Sequence, residues 1–450
     1  MSIRDWMGNR RAVVAGMAGA VTAGVAGEKV SAAKTRPDRT RPETRPNIVL
    51  INMDDFRRTD WPVMTRTLAA LNGARVFPNF ILDAPLCGPS RATLLTGKYV
   101  HNHGVLWNVG AQPEIAAYLA YMSNRLDRIS LVRALQRVGY LTGLFGKFMN
   151  LYDGTQRRPE GWNRWVVVTE RGHTGVPLNI DGVTTPYPKN AYATDVLRDF
   201  ATGFIDACPV DEPLFLYLAP TSPHGPIEVA RQYRTRFEGA QVERDAAFNE
   251  ADVSDKPTHV ANTPPLEPAM IAHLDDCQRG RLAMLLSVDE AIETIVAKLR
   301  AAGRLDNTYI FITSDNGLLL GQHRLYGKAV PYDMCARVPM LAWGHGFIKG
   351  EDRRLVSNVD LAPTIAQIAG ATLRKADGMS LLSKARRDYV LLELMTEPLL
   401  DGNGFGLRSE RLMYFEYANG ERELYDLKYD PLELDNLLPP GQPPKPLNMG

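Results

Sequence analysis

Cysteine is scarce in this chain: only Cys87, Cys208, Cys277 and Cys335 occur in 450 residues. They are widely spaced, with no C-x-x-C and no Cys/His pairing, which excludes a disulfide framework and a structural zinc site. Neither sign of charge is in excess. The 52 Lys and Arg against 51 Asp and Glu leave a formal charge of +1, and no run resembles a nucleic-acid motif, so nucleic acid is not expected as a partner. No stable membrane span is expected either. The apolar stretch from Ala12 to about Ala26 falls short of the ~20 residues that crossing a bilayer needs. No internal repeat is present. What remains is an ordinary globular composition, long enough to bury a large core and to divide into two or three structural units.

The first residues read as a separate object. Arg10 and Arg11 precede that apolar stretch, and small residues follow it. Residues 1–33 are expected to be a cleavable export signal of the twin-arginine type, cut after Ala33, sending the protein to the periplasm or the exterior. A tail without fixed structure or a retained anchor is the other reading. Residues 34–46, KTRPDRTRPETRP, form a Pro/Arg-rich spacer whose prolines prevent helix.

From Asn47 onward, β-branched runs alternate with helical patterns, the signature of an α/β fold with a large, mostly parallel sheet between helices. NIVLINM (47–53) stops at Asp54-Asp55 and YLTGLFG (140–146) at Lys147. PLFLYLAP (213–220) is followed by His224, and TYIFITS (308–314) by Asp315-Asn316. Ligands of open α/β sheets gather beyond the carboxyl ends of the strands, so four strands point toward one site. Helices are expected over ISLVRALQRVG (129–139), RLAMLLSVDEAIETIVAKLRAAG (281–303) and VSNVDLAPTIAQIAG (356–370), with an irregular surface excursion over 221–272. The larger domain is taken as 47–375. Residues 376–438 form a C-terminal subdomain, a small antiparallel sheet plus helix, marked by Asn419-Gly420 between two β-rich runs. Residues 439–450 are expected to be a disordered tail.

Asp54, Asp55, Asp315 and Asn316 are hard oxygen donors at two strand ends. Adjacent carboxylates repel unless a cation neutralises them, and an all-oxygen set suits calcium or magnesium rather than zinc. Cys87, in APLCGPSRATLLTGKY, admits three readings. It is an inert buried residue, a thiolate nucleophile at the start of a short helix over 90–96, or a residue to be modified.

The third reading comes from resemblance. CGPSR matches the C-x-P-S-R signature of type I sulfatases, formylglycine-dependent members of the alkaline phosphatase superfamily. NIVLINMDD, GKFMN, SPHGP, TYIFITSDNG and YGKAVPYDMCARVPM follow in the order of that family. LCGPSRATLLTGKYVHNHGV, GKFMNLY and ERELYDLKYDPLELDNL are most similar to its N-acetylglucosamine-6-sulfatase and heparan 6-O-endosulfatase branch.

The resemblance implies that a formylglycine-generating enzyme converts Cys87 to an aldehyde, 3-oxoalanine, whose hydrate attacks a sulfate monoester of a sulfated carbohydrate. It implies a divalent cation, calcium in the first instance, held by Asp54, Asp55, Cys87, Asp315 and Asn316. Arg91 would stabilise the hydrate, Lys147 and Lys328 the sulfate oxygens, and His224 would protonate the leaving alcohol. Where many sulfatases carry a histidine two residues after the lysine, this chain has Met149 and then Asn150. Asn150, His101 and His103 are expected substrate contacts. Two rivals stand: a phosphate or phosphonate ester hydrolase of the same superfamily, and a catalytically silent binding homologue.

Overall fold

The computed structural model describes residues 45–109, 116–395 and 402–447. The expected export signal, most of the spacer and the last residues of the tail lie outside them.

A ten-stranded sheet runs in the order 350–351, 75–76, 340–343, 308–314, 47–53, 214–219, 141–146, 164–168, 178–180 and 183–185. The five strands from Thr308–Ser314 to Arg164–Val168 are mutually parallel, and antiparallel strands flank them on both sides. The central strands are buried along their whole length, which is why they read as continuous apolar runs rather than alternating ones. Alternation instead sorts side chains between two layers. Ile48, Leu50, Phe215 and Tyr217 pack on one face with the helices 87–96, 131–137 and 361–369. Val49, Ile51, Leu216 and Leu218 pack on the other with the helices 193–207 and 268–301.

Parallel pairing puts the carboxyl ends of four strands on one edge. Met53 is in register with Ser314, and Gly146 with Ala219. Gly146 is required there: at φ +127° its absent Cβ would lie 1.9 Å from the Ala219 carbonyl oxygen, which accepts the Lys147 N–H at 2.7 Å.

Two helices are longer than expected. One begins at Pro268, its proline in the first turn, and runs to Ala301. Its first two turns leave most side chains exposed, so they carry no apolar stripe to read. The other begins at Cys87 rather than Ser90 because Pro89 sits within the first turn, where its missing N–H costs nothing.

At the C-terminus the strands 389–394, 404–409, 412–417 and 422–426 form an antiparallel sheet, the last two joined through Asn419-Gly420. It packs Val390, Leu392, Phe415 and Tyr425 against Ile81, Tyr332 and Cys335 of the larger unit. Among the described residues beyond Gly370, no helix accompanies that sheet. Residues 439–447 have neither helix nor strand, and Lys445 donates its N–H to the Leu437 carbonyl at 2.8 Å. Among the described residues, no helix is long and apolar enough to cross a membrane.

Candidate active site

Asp54 and Asp55 leave the end of strand 47–53, and the chain turns at once because Asp55 adopts φ +62°. A non-glycine residue holds that conformation only where its surroundings over-determine it. Here the Asp55 N–H donates to Asp315 Oδ1 at 3.2 Å and its carbonyl accepts from Arg281 Nη2 at 2.5 Å. Asp315 follows strand 308–314, and its N–H donates to the Met53 carbonyl at 3.0 Å. The acidic pairs, distant in sequence, are therefore stitched together by backbone.

Cys87 opens its helix at the same edge and is 0% exposed. Its Sγ lies 3.5 Å from Asp54 Oδ1 and accepts from Lys328 Nζ at 2.8 Å. One turn on, Arg91 Nε donates to Asp315 Oδ2 at 2.8 Å, Nη2 forms an ion pair with the same oxygen at 2.8 Å, and Nη1 donates to the Lys147 carbonyl at 2.9 Å. Lys147 Nζ donates to Asp54, and Lys328 Nζ to Asp55. These two side chains keep 16% and 15% of their surface exposed, against 1% and 5% for their carboxylate partners, so the ammonium groups stand nearer the mouth. His224 Nε2 is 3.7 Å from Asp55 Oδ2, and its Nδ1–H donates to the Gly225 carbonyl at 2.5 Å.

One donor atom each from Asp54, Asp55, Cys87 and His224 lies within 4.8 Å of the others. The Asn316 side-chain oxygen is buried with no hydrogen-bond partner, while its Nδ2 donates to Asp55 Oδ1 at 2.5 Å. A buried acceptor left open beside three carboxylates is the environment that a hard cation completes. The residues present thus fit a divalent ion.

Electrostatics agree. Burial raises the Asp315 carboxyl, and the Asp54 charge raises it further against the pull of Arg91. Burial opposes ionisation of Asp54 too, but Lys147, His224, Arg91 and Lys328 outweigh it and hold Asp54 well below the usual carboxylate range. Burial, then the charges of Asp315 and Asp54, push the Cys87 thiol up to about 12. Unmodified, Cys87 stays a neutral thiol and a poor nucleophile.

Not every expected residue reaches this cluster. His103 is buried: its Nδ1 accepts the Val105 N–H and its Nε2–H donates to Thr93 Oγ1, both at 3.0 Å. It supports the far side of the Cys87 helix and is removed from the substrate contacts. His101 Nδ1 bonds Glu393 Oε1 at 2.7 Å, tying the same helix region to the C-terminal sheet. Asn150 is half-buried, and its Oδ1 has no protein partner. Trp162 and Trp165 are core residues: Trp162 stacks with Phe215 and Tyr217, and Trp165 meets Phe148 edge to face.

Beneath the helix, Asp83 accepts from Thr93 Oγ1 at 2.8 Å and from Asn358 Nδ2 at 2.9 Å. Burial, then the Glu393 charge, push its carboxyl up to about 7. The folded state therefore prefers the protonated form. This contribution to stability is complete below the ordinary carboxylate range and is lost as pH rises through about 7. Relative to the native chain, Asp83→Asn should gain stability between about pH 4 and about pH 7, by at most about 1.4 kcal/mol per pH unit, and level off above. Urea unfolding of both proteins across that range checks this; parallel pH profiles would contradict it.

Comparison with known proteins assigns the arrangement. The family model "Sulfatase" matches residues 46–371. The chain belongs to the sulfatase family. A second family model, "N-sulphoglucosamine sulphohydrolase, C-terminal", matches residues 321–443 of this sulfatase. It is 34% identical to human N-acetylglucosamine-6-sulfatase over 78% of its own length and 68% of the relative's. It is 33% identical to the Drosophila melanogaster extracellular sulfatase SULF-1 homolog over 77% of its length, but spans only 32% of that longer protein.

Solved structures agree on the fold. One, of a protein in complex with its substrate D-glucosamine-2-N,6-O-disulfate, superposes with a TM-score of 0.73 at 22% identity, covering 87% of this chain and 93% of the other. The phosphonate monoester hydrolase of Agrobacterium radiobacter superposes at 0.68 with 21% identity, covering 87% and 91%. This sulfatase is a sulfuric ester hydrolase, and its family implies a divalent metal.

Sequence reasoning missed two residues that hold the site without belonging to its motifs, His173 and Arg281. Both act on backbone carbonyls, and such partners leave no mark in a sequence.

Proposed function

We propose that this sulfatase removes 6-O-sulfate from a glucosamine-type sugar, working through the hydrate of a formylglycine made from Cys87. One observation carries the reading: the buried Cys87 sulfur lies between Lys328 and Asp54, against three carboxylates and an open amide oxygen. The likeness to N-acetylglucosamine-6-sulfatase supports the sugar. Asp54, Asp55, Asp315, Asn316 and residue 87 would hold the cation, calcium by its oxygen donors, with magnesium the alternative hard ion. When bound, it supplies Lewis acidity and a surplus of positive charge, since Asp54, Asp55 and Asp315 are otherwise matched by Arg91, Lys147 and Lys328.

The chain's own groups do the rest. Lys147 and Lys328 hold the sulfate oxygens, and Arg91 stabilises charge on residue 87. One hydroxyl of residue 87 attacks sulfur as the bond from sulfur to the sugar oxygen breaks. His224 gives its Nε2 proton to that oxygen. The second hydroxyl then returns a proton to His224 as it re-forms the carbonyl, sulfate leaves by C–O cleavage, and water adds to the aldehyde to restore the hydrate. Asn150 serves as a substrate contact from the Lys147 loop. Maturation requires a formylglycine-generating enzyme that reads C-x-P-x-R, and Arg10-Arg11 directs export of the folded product.

The test compares turnover of 6-O-sulfated glucosamine, 4-nitrophenyl sulfate, 4-nitrophenyl phosphate and a phosphonate monoester. The sugar sulfate is expected to exceed both phosphorus esters by at least ~100-fold in kcat/KM, about 2.7 kcal/mol of transition-state discrimination. Preference for a phosphorus ester would make the chain a phosphate or phosphonate hydrolase. No turnover of any sulfate by fully converted protein would make it a binding homologue.

A further inference from the structure

His224 presents its imidazole to the site from a loop, its side chain 29% exposed and hydrogen-bonded only within that loop, to the Gly225 carbonyl. What fixes the ring must therefore be what fixes the backbone. Two successive carbonyls are captured from opposite sides. Arg281 Nη1, from the long helix, donates to the Pro223 carbonyl at 3.1 Å, and His173 Nε2 donates to the His224 carbonyl at 2.8 Å. We propose that His173 and Arg281 are positioning residues for His224, clamping the Pro223–His224 backbone so that Nε2 stays in place beside Asp55. This rests on the reading of His224 as the proton donor.

The clamp is built on both sides. His173 is 1% exposed, and because Nε2 must donate to a carbonyl, its Nδ1 is the acceptor for the Thr221 and Ser222 hydroxyls, each at 3.2 Å. The imidazole thus holds residues 221, 222 and 224 at once. Its own backbone is tied down by Glu228, whose Oε2 accepts the N–H groups of His173 at 2.8 Å and Thr174 at 2.9 Å.

Arg281 is also buried, and its Nη2 donates to the Asp55 carbonyl as Nη1 donates to Pro223. One planar guanidinium therefore sets the loop's distance from a carboxylate of the acidic cluster, a span that a single ammonium cannot copy. Beside it, a Cβ at Gly280 would lie 2.1 Å from Ile227 Cγ2, so the loop rests directly on the helix. Neither residue contributes to the donor cluster itself; His173 acts through His224, and Arg281 through both the His224 loop and the Asp55 carbonyl.

The test uses fully converted protein carrying His173→Phe, His173→Gln, Arg281→Lys or His224→Ala, assayed on 6-O-sulfated glucosamine and on 4-nitrophenyl sulfate, whose leaving group needs little protonation. His173→Phe is expected to lower kcat on the sugar sulfate by about 10–100-fold with KM within about threefold, the scale of a misplaced general acid. The loss on the aryl sulfate should be smaller, and His173→Gln, which keeps a side-chain N–H donor, should recover most of the rate. Arg281→Lys should repeat the pattern, which keeps the proposal testable should His173→Phe fail to fold. A change carried by KM, or a kcat loss that glutamine does not restore, would overturn the clamp. His224→Ala separates the two ideas: if it spares kcat on the sugar sulfate, the proton-donor assignment fails first and the clamp with it.

Discussion

Cys87→Ala and Cys87→Ser are both expected to lose multiple turnover on a sulfate ester by at least ~10⁴-fold, the scale seen when a nucleophile is removed from a catalytic unit. Both should remain folded, within about 1–2 kcal/mol of the native chain, because the side chain is small and its loss opens little volume. The two variants should then differ from each other. Serine offers one hydroxyl and can accept sulfate once, but it lacks the second hydroxyl whose deprotonation expels the product. It should give at most a stoichiometric burst, read by rapid quench, whereas alanine should give none. Full steady-state activity in Cys87→Ala would contradict any mechanism through residue 87.

The second large effect concerns the cation. Exhaustive chelation is expected to abolish turnover, and calcium to restore it. Activity alone would not separate a catalytic from a structural ion, so the second readout is stability. A ligand present at 100 times its Kd adds about 2.7 kcal/mol of apparent stability if it binds only the folded chain. Thermal unfolding should therefore shift downward on metal removal and back on titration with calcium. The Asn316 side-chain oxygen is the open acceptor of the set. Asn316→Ala should thus weaken the calcium-dependent shift even in protein whose Cys87 is unconverted. A melting profile indifferent to verified metal removal and to added calcium would contradict the assignment.

Much of this was legible in the sequence, for physical reasons. Strands buried on both faces write themselves as apolar runs, and in a parallel sheet their carboxyl ends share an edge. Asp54, Lys147 and Asp315, each directly after such a run, thus had to converge. The hairpin at Asn419-Gly420 was legible because its turn demands that chemistry. The start of the long helix at Pro268 was not, since its first turns bury little. Nor could the fate of individual aromatic and imidazole rings be read. Trp162 and Trp165 could line a pocket or fill a core, and only the strands they lie against decide for the core. His103 and His173 are both buried histidines, one supporting the Cys87 helix and the other the His224 loop. Their roles are set by which carbonyl or hydroxyl the fold brings within 3 Å or so of a ring nitrogen, and sequence spacing carries no trace of it.

The most direct measurement relates chemistry at position 87 to rate. Preparations differing in the extent of Cys87 conversion, quantified by mass spectrometry of the peptide spanning Ala84 to Lys98, are assayed with calcium on 6-O-sulfated glucosamine. The expected result is a kcat per chain proportional to the aldehyde fraction, extrapolating to zero for fully unconverted thiol. A rate independent of that fraction would contradict the formylglycine mechanism.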